Sequence, residues 1–91
     1  MAKRLRITVY GRVQGVGFRY AAWEKAAQLG LSGWVKNSAH RNQVDLEAEG
    51  ARAELETFVM WLNQGPALAR VGRVEQAEIA RLDDTGFTIR H

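Results

Sequence analysis

The sequence has no cysteine. That excludes a disulfide framework, thiolate catalysis and any cysteine-ligated metal. It has a single proline, Pro66, so little interrupts regular backbone pairing. Its two histidines, His40 and His91, lie far apart and lack ligand spacing. The carboxylates are dispersed, and neither a paired-carboxylate nor a Ser-His-Asp pattern stands out. No apolar run is long enough to cross a membrane or to act as a secretory signal. The expectation is a cytoplasmic protein with no membrane partner, no metal and no cofactor. Charge of one sign is scarce too: 13 Lys and Arg face 10 Asp and Glu, a net charge of +3. Such an excess steers anionic ligands without naming one. The basic residues are scattered, unlike the clustered patch of a nucleic-acid binder.

What is present suits one core. The 91 residues are 46% hydrophobic and include three Trp and three Phe. One domain over residues 1–91 is expected, as a monomer.

Residues 4–10 alternate, with Leu5, Ile7 and Val9 on one face and Arg6, Thr8 and Tyr10 on the other. This is the pattern of a half-buried strand. Phe18, Ala22, Ala26 and Leu29 form a helical stripe, predicting a helix from Phe18 to Leu29. Trp23 flanks that stripe as packing, and Gly30 suits a left-handed C-terminal cap. A second strand is expected from Leu31 to Asn37, followed by the polar connection Ser38–Asn42. The third strand turns Val44, Leu46 and Ala48 inward and Asp45, Glu47 and Glu49 outward, with Gly50 as its end. Leu55, Phe58, Val59 and Leu62 mark a helix over Ala51–Gln64, which Gly65-Pro66 stops. A fourth strand over Arg70–Ala80 is less regular, with Gly72 marking a bulge or the preceding loop. Asp83-Asp84-Thr85-Gly86 reads as a turn, and Phe87 and Ile89 as a short closing strand. The order β-α-β-β-α-β predicts an α+β, ferredoxin-like sandwich: an antiparallel sheet with two helices on one face. Many activities share that fold, so function has to come from a site.

The site candidate is Gly11-Arg12-Val13-Gln14-Gly15-Val16-Gly17-Phe18-Arg19, which joins the first strand to the first helix. Its glycines let the backbone bend sharply and approach a ligand closely. Amides from Gln14 to Arg19 can then line a concavity at a helix N-terminus, where free N–H groups and the helix dipole attract phosphate. Arg19 sits at the wrong end of that dipole, a penalty of roughly 0.3–1 kcal/mol. A bound phosphate would reverse the sign, since a guanidinium makes paired hydrogen bonds to two of its oxygens. The same residues also suit a tight turn with a solvated arginine.

The run Gly11–Arg19 resembles the signature of the acylphosphatase family. Gly33-Trp34-Val35-Lys36-Asn37 resembles that family's second signature, at a matching distance downstream. Gly86-Phe87-Thr88-Ile89-Arg90 is similar to its last strand. The resemblance covers essentially the whole chain. It implies that Gln14, Gly15, Val16, Gly17, Phe18 and Arg19 cradle a phosphate and that Arg19 and Asn37 are the catalytic residues. The implied substrate is a small acyl phosphate, and inorganic phosphate is one product. An acyl phosphate carries its own leaving group, so its hydrolysis needs phosphoryl binding, charge stabilisation and a water held in line. A neutral amide that both donates and accepts suits the water, because a carboxylate would repel the substrate. Asn37 fits that role, and equally fits a turn-initiating asparagine at a strand end. The family pattern has a glycine in the hairpin after the asparagine. Here Ser38–Gln43 has none and is one residue longer, so Asn42 stands as the residue for a left-handed turn.

Nearby residues have plainer readings. Lys36 adds positive potential beside Asn37 or is simply solvated. His40 reads as an exposed loop histidine, His91 as frayed, and Asp83-Asp84 as turn chemistry rather than a metal site. An anion sensor that binds phosphate without turnover would use the same glycine loop. RNA-recognition domains share the element order but stack bases on aromatics of the central strands. Asp45, Glu47 and Glu49 on that outer face would repel a phosphate backbone, so no nucleic-acid partner is expected.

Overall fold

A computed structural model describes residues 2–91, with Met1 outside the described residues. Alternation in the strands and helical spacing in between sort the apolar side chains into one layer. The elements are β1 (Ala2–Arg12), α1 (Phe18–Gln28), β2 (Ser32–Asn37), β3 (Gln43–Ala51), α2 (Arg52–Gln64), β4 (Arg70–Ile79) and β5 (Phe87–Arg90). They build one sheet in the order β4-β1-β3-β2-β5. Leu5, Ile7 and Val9 of β1 and Val44, Leu46 and Ala48 of β3 meet Phe18, Ala22 and Ala26 of α1 and Leu55, Phe58 and Leu62 of α2. Each of the Val, Leu, Ile and Phe side chains among these contributes about 1.5–3 kcal/mol by leaving water. The ferredoxin-like sandwich is the observed fold, with both helices on that one face. No helix among the described residues is long and apolar enough to cross a membrane.

The four longer strands pair antiparallel, and β5 adds a parallel pair to β2. Val35 lies beside Ile89 and Lys36 beside Arg90, so both strands end at the same end of the sheet. Three contacts hold β5 there. The Gly33 amide donates to the Gly86 carbonyl at 3.0 Å. Trp23 Nε1 donates to the Phe87 carbonyl at 3.0 Å, giving the α1 tryptophan a structural partner. Phe87 meets Phe58 edge-on at 6.0 Å.

Two strands run further than the sequence pattern suggests. β1 continues through Gly11, and the register against β4 shifts there, leaving Gly72 as the extra residue of a bulge. β3 continues through Gly50, which pairs with Lys3 instead of ending the strand. A Cβ at Gly50 would come within 2.5 Å of Leu31 Cδ2, so this glycine answers to packing, not to a turn.

The outer face of the sheet holds the larger correction. Glu47 and Glu49 point away from the helices as expected, but they face Arg4, which is fully buried. Arg4 Nε donates to Glu47 at 2.8 Å, and Nη1 donates to Glu49 at 3.1 Å and Asp84 at 3.0 Å. Residues 82–84 strap over this cluster, with the Leu82 and Asp83 amides donating to Glu49 at 2.9 and 3.1 Å. Asp84 is therefore an ion-pair anchor, and the expected turn reduces to a bend at Gly86. Arg4 offsets one of the three negative charges of Glu47, Glu49 and Asp84, so the outer face stays acidic there.

These contacts set an acid limit. The Leu82 amide, then Arg4 and the Asp83 amide, hold the Glu49 carboxyl below its ordinary value against the opposing pull of burial. Burial raises Asp84, but hydrogen bonds from the Ser32 hydroxyl and Arg4 outweigh it, and the net shift is downward. A lowered folded-state pKa stabilises above the unfolded value and loses that stability as pH falls through the folded one. Thermal unfolding followed from neutrality downward is expected to show a steep loss of Tm below about pH 4. Glu49→Gln should flatten part of that step, and an equally steep step in the variant would exclude Glu49 as its source.

Candidate active site

The segment between β1 and α1 turns on two left-handed glycines, Gly15 at φ 74° and Gly17 at φ 76°. Gly17 is the N-cap of α1 and provides no side-chain cap, and the first turn has no acidic residue. The first N–H groups of α1 are therefore left without the side-chain acceptor that usually satisfies them. A pocket of about 220 Å³ opens at this point. Gly15, Gly17, Phe18, Arg19 and Tyr20 line it from the loop and α1, Asn37 from β2, and Ile89 and His91 from the end of β5.

The structure thus brings Arg19 and Asn37 to one cavity, both half-buried. Strand parity explains Asn37: Val35 faces the core, so Asn37, two residues on, faces the same side at the rim. Gly15, Gly17 and Phe18 reach the pocket wall, while Gln14 and Val16 do not. Val16 packs against the core instead. The Gln14 side chain has a separate task. Its Nε2 donates toward the carbonyls of Ser38, His40 and Gln43 at 3.0, 2.9 and 2.8 Å. It staples the β2–β3 hairpin to the glycine loop and so fixes the segment immediately after Asn37.

That staple replaces the glycine the hairpin lacks. Asn42 does not adopt the left-handed conformation, since Asp83, at φ 53°, is the sole positive-φ residue other than glycine among the described residues. The Asn42 carbonyl accepts from Gly11 N–H at 3.0 Å, and the Ser38 amide donates to Gln43 at 3.1 Å. His40 is exposed on this hairpin and lines no part of the 220 Å³ pocket.

The residues 5–89 match the sequence profile of the family described as Acylphosphatase. The chain belongs to the acylphosphatase family. It is 47% identical over 89 residues to an acylphosphatase of Anaeromyxobacter sp. strain Fw109-5, covering 97% of this chain and 95% of that one. It is 44% identical over 87 residues to the acylphosphatase of Mannheimia succiniciproducens, covering 94% and 96%. Its backbone superposes on the structure of an acylphosphatase from Coxiella burnetii with a TM-score of 0.93, at 40% identity, covering 98% of this chain and 93% of that one.

Within this acylphosphatase fold the pocket holds one side chain the sequence pattern did not nominate. His91 is not frayed. Its parity follows Phe87 and Ile89, and it lines the same pocket as Asn37 of the neighbouring strand. Arg19 Nη1 meets its Nδ1 at 3.1 Å and donates to the Arg90 carbonyl at 3.2 Å. The sequence signal that could have found His91 was the alternation Phe87, Ile89, His91, but only the edge that β5 joins gives it meaning.

A larger groove of about 610 Å³ lies between α2 and the β1–β4 edge. Its charges are of both signs and are paired along the surface, Arg52 with Glu56 at 3.2 Å and Lys3 with Glu78 at 3.9 Å. It has no anion-binding character. Among the described residues no three His, Asp or Glu side chains group as metal ligands.

Proposed function

We propose that the chain hydrolyses the carboxyl–phosphate bond of small acyl phosphates, releasing carboxylate and inorganic phosphate. The observation that carries this reading is the convergence of Arg19, Asn37 and an uncapped helix N-terminus on one pocket. The amides of the Gln14–Arg19 segment and the Arg19 guanidinium receive the phosphoryl oxygens and hold their charge through the transition state. Asn37 orients a water for in-line attack on phosphorus. The new P–O bond forms as the bond to the acyl oxygen breaks, and the acyl carboxylate leaves as an anion. The phosphoryl group takes the water's proton, so no separate general base is needed. The reading includes no metal in the reaction.

Benzoyl phosphate tests this with purified wild-type and Asn37→Ala protein, each with and without EDTA. EDTA-insensitive turnover is expected in the wild type. Asn37→Ala should keep phosphate binding and lose turnover by on the order of 10²–10³-fold, the size of one lost positioning donor. Unchanged turnover in the variant would remove Asn37 from the mechanism. No wild-type turnover, with inorganic phosphate still bound, would point to an anion sensor.

A further inference from the structure

Arg19 is held before any substrate arrives. An arginine side chain carries about 2 kcal/mol of rotamer entropy, and the dipole of its own helix disfavours it. Two acceptors at the end of β5 hold it here, the Arg90 carbonyl at 3.2 Å and His91 Nδ1 at 3.1 Å. Both engage Nη1, so the hydrogens on Nε and Nη2 are not consumed by them. Arginine has no acceptor to offer, so the Nδ1 contact requires an unprotonated Nδ1.

We propose that His91 is a positioning residue of this site: its imidazole, with the Arg90 carbonyl, holds the Arg19 guanidinium so that the Nε–Nη2 edge meets the phosphoryl group. The proposal rests on the acyl phosphate reading above. The charged side chains around the ring are those of Arg19 from α1 and Arg90 from β5, while β2 brings neutral Asn37 and the loop brings only Val13, Gly15 and Gly17. The imidazole is thus a support for the arginine. Fixing a guanidinium to within a fraction of an ångström matters because a misplacement of about 1 Å can cost roughly 10²-fold in rate.

The test compares wild type, His91→Ala, His91→Asn and His91→Gln with benzoyl phosphate, and with inorganic phosphate by calorimetry. His91→Ala should lower kcat/KM about tenfold, with the Arg90 carbonyl still holding one side. Phosphate affinity should weaken in parallel. Asparagine places its amide oxygen near the position of Nδ1 and should recover most of the loss, whereas glutamine reaches the position of Nε2 and should not. Equal kcat/KM in His91→Ala and wild type, or equal defects in the alanine and asparagine variants, would overturn the proposal. If the wild type does not turn over, the hydrolysis reading fails, and phosphate affinity alone then decides. Weakening in His91→Ala with recovery in His91→Asn supports the role, and equal affinity in all four proteins overturns it.

Discussion

Arg19→Ala is expected to abolish phosphate binding and to lower kcat/KM on the order of 10³-fold or more, in the range found when a transition-state arginine is lost from phosphoryl transfer. Stability should move the other way or not at all. The substitution removes a cation from the first turn of α1, which is worth roughly 0.3–1 kcal/mol, and gives up contacts to Arg90 and His91 at a surface pocket. A large loss of activity with a level or higher Tm separates a functional arginine from a structural one. Arg19→Lys should be nearly as poor. Arg19 divides its work, with Nη1 bound to the end of β5 and the remaining edge open to a ligand. An ammonium has one nitrogen and cannot do both, nor can it match two phosphoryl oxygens. Phosphate titration by calorimetry and benzoyl phosphate kinetics read the two halves of the expectation. Activity within a few-fold of wild type in either variant would remove Arg19 from the mechanism.

What could be read from the sequence was whatever local backbone chemistry decides. The left-handed turns at Gly15 and Gly17, the stripes of both helices and the alternation of β1 and β3 depend on neighbours in the chain. So does the placement of Asn37 at a strand end. Each miss depends on a partner far away in sequence. β5 is four residues long, and its parity was visible, but nothing local says that it joins β2 in parallel. From sequence alone, His91 therefore reads as frayed. Gln14 is part of the glycine run, yet its amide crosses to carbonyls 24 to 29 residues away. Gly50 is read as a strand end until Leu31 is seen against it. Arg4 sits on the polar face by alternation, and only the strap from residues 82–84 buries it.

Arg4→Met is expected to give the largest loss of stability. Arg4 is fully buried and ties two neighbours on β3 to Asp84 on the far strap. Removing it leaves three carboxylates facing one another with no cation. Breaking a buried ion pair from one side costs about 3–5 kcal/mol. The side chains of Glu47 and Asp84 are 16% and 39% exposed, so water screens part of the repulsion and the lower end applies, about 3 kcal/mol. In a domain of this size that should lower Tm by more than about 10 °C. The double variant Arg4→Met/Glu49→Gln should recover part of the loss, because it removes one of the stranded charges together with its partner. A structural role also predicts where the damage spreads. The strap leads directly into β5, so amide exchange should rise over Leu82–Arg90 before it rises in α2. The end of β5 carries the carbonyl of Arg90 and the ring of His91 that meet Arg19. Loosening the outer face should then weaken phosphate binding at temperatures where the protein is still folded, although Arg4 itself lines no part of the pocket. An unchanged Tm, or normal phosphate affinity with a freely exchanging β5, would break the link between the buried arginine and the site.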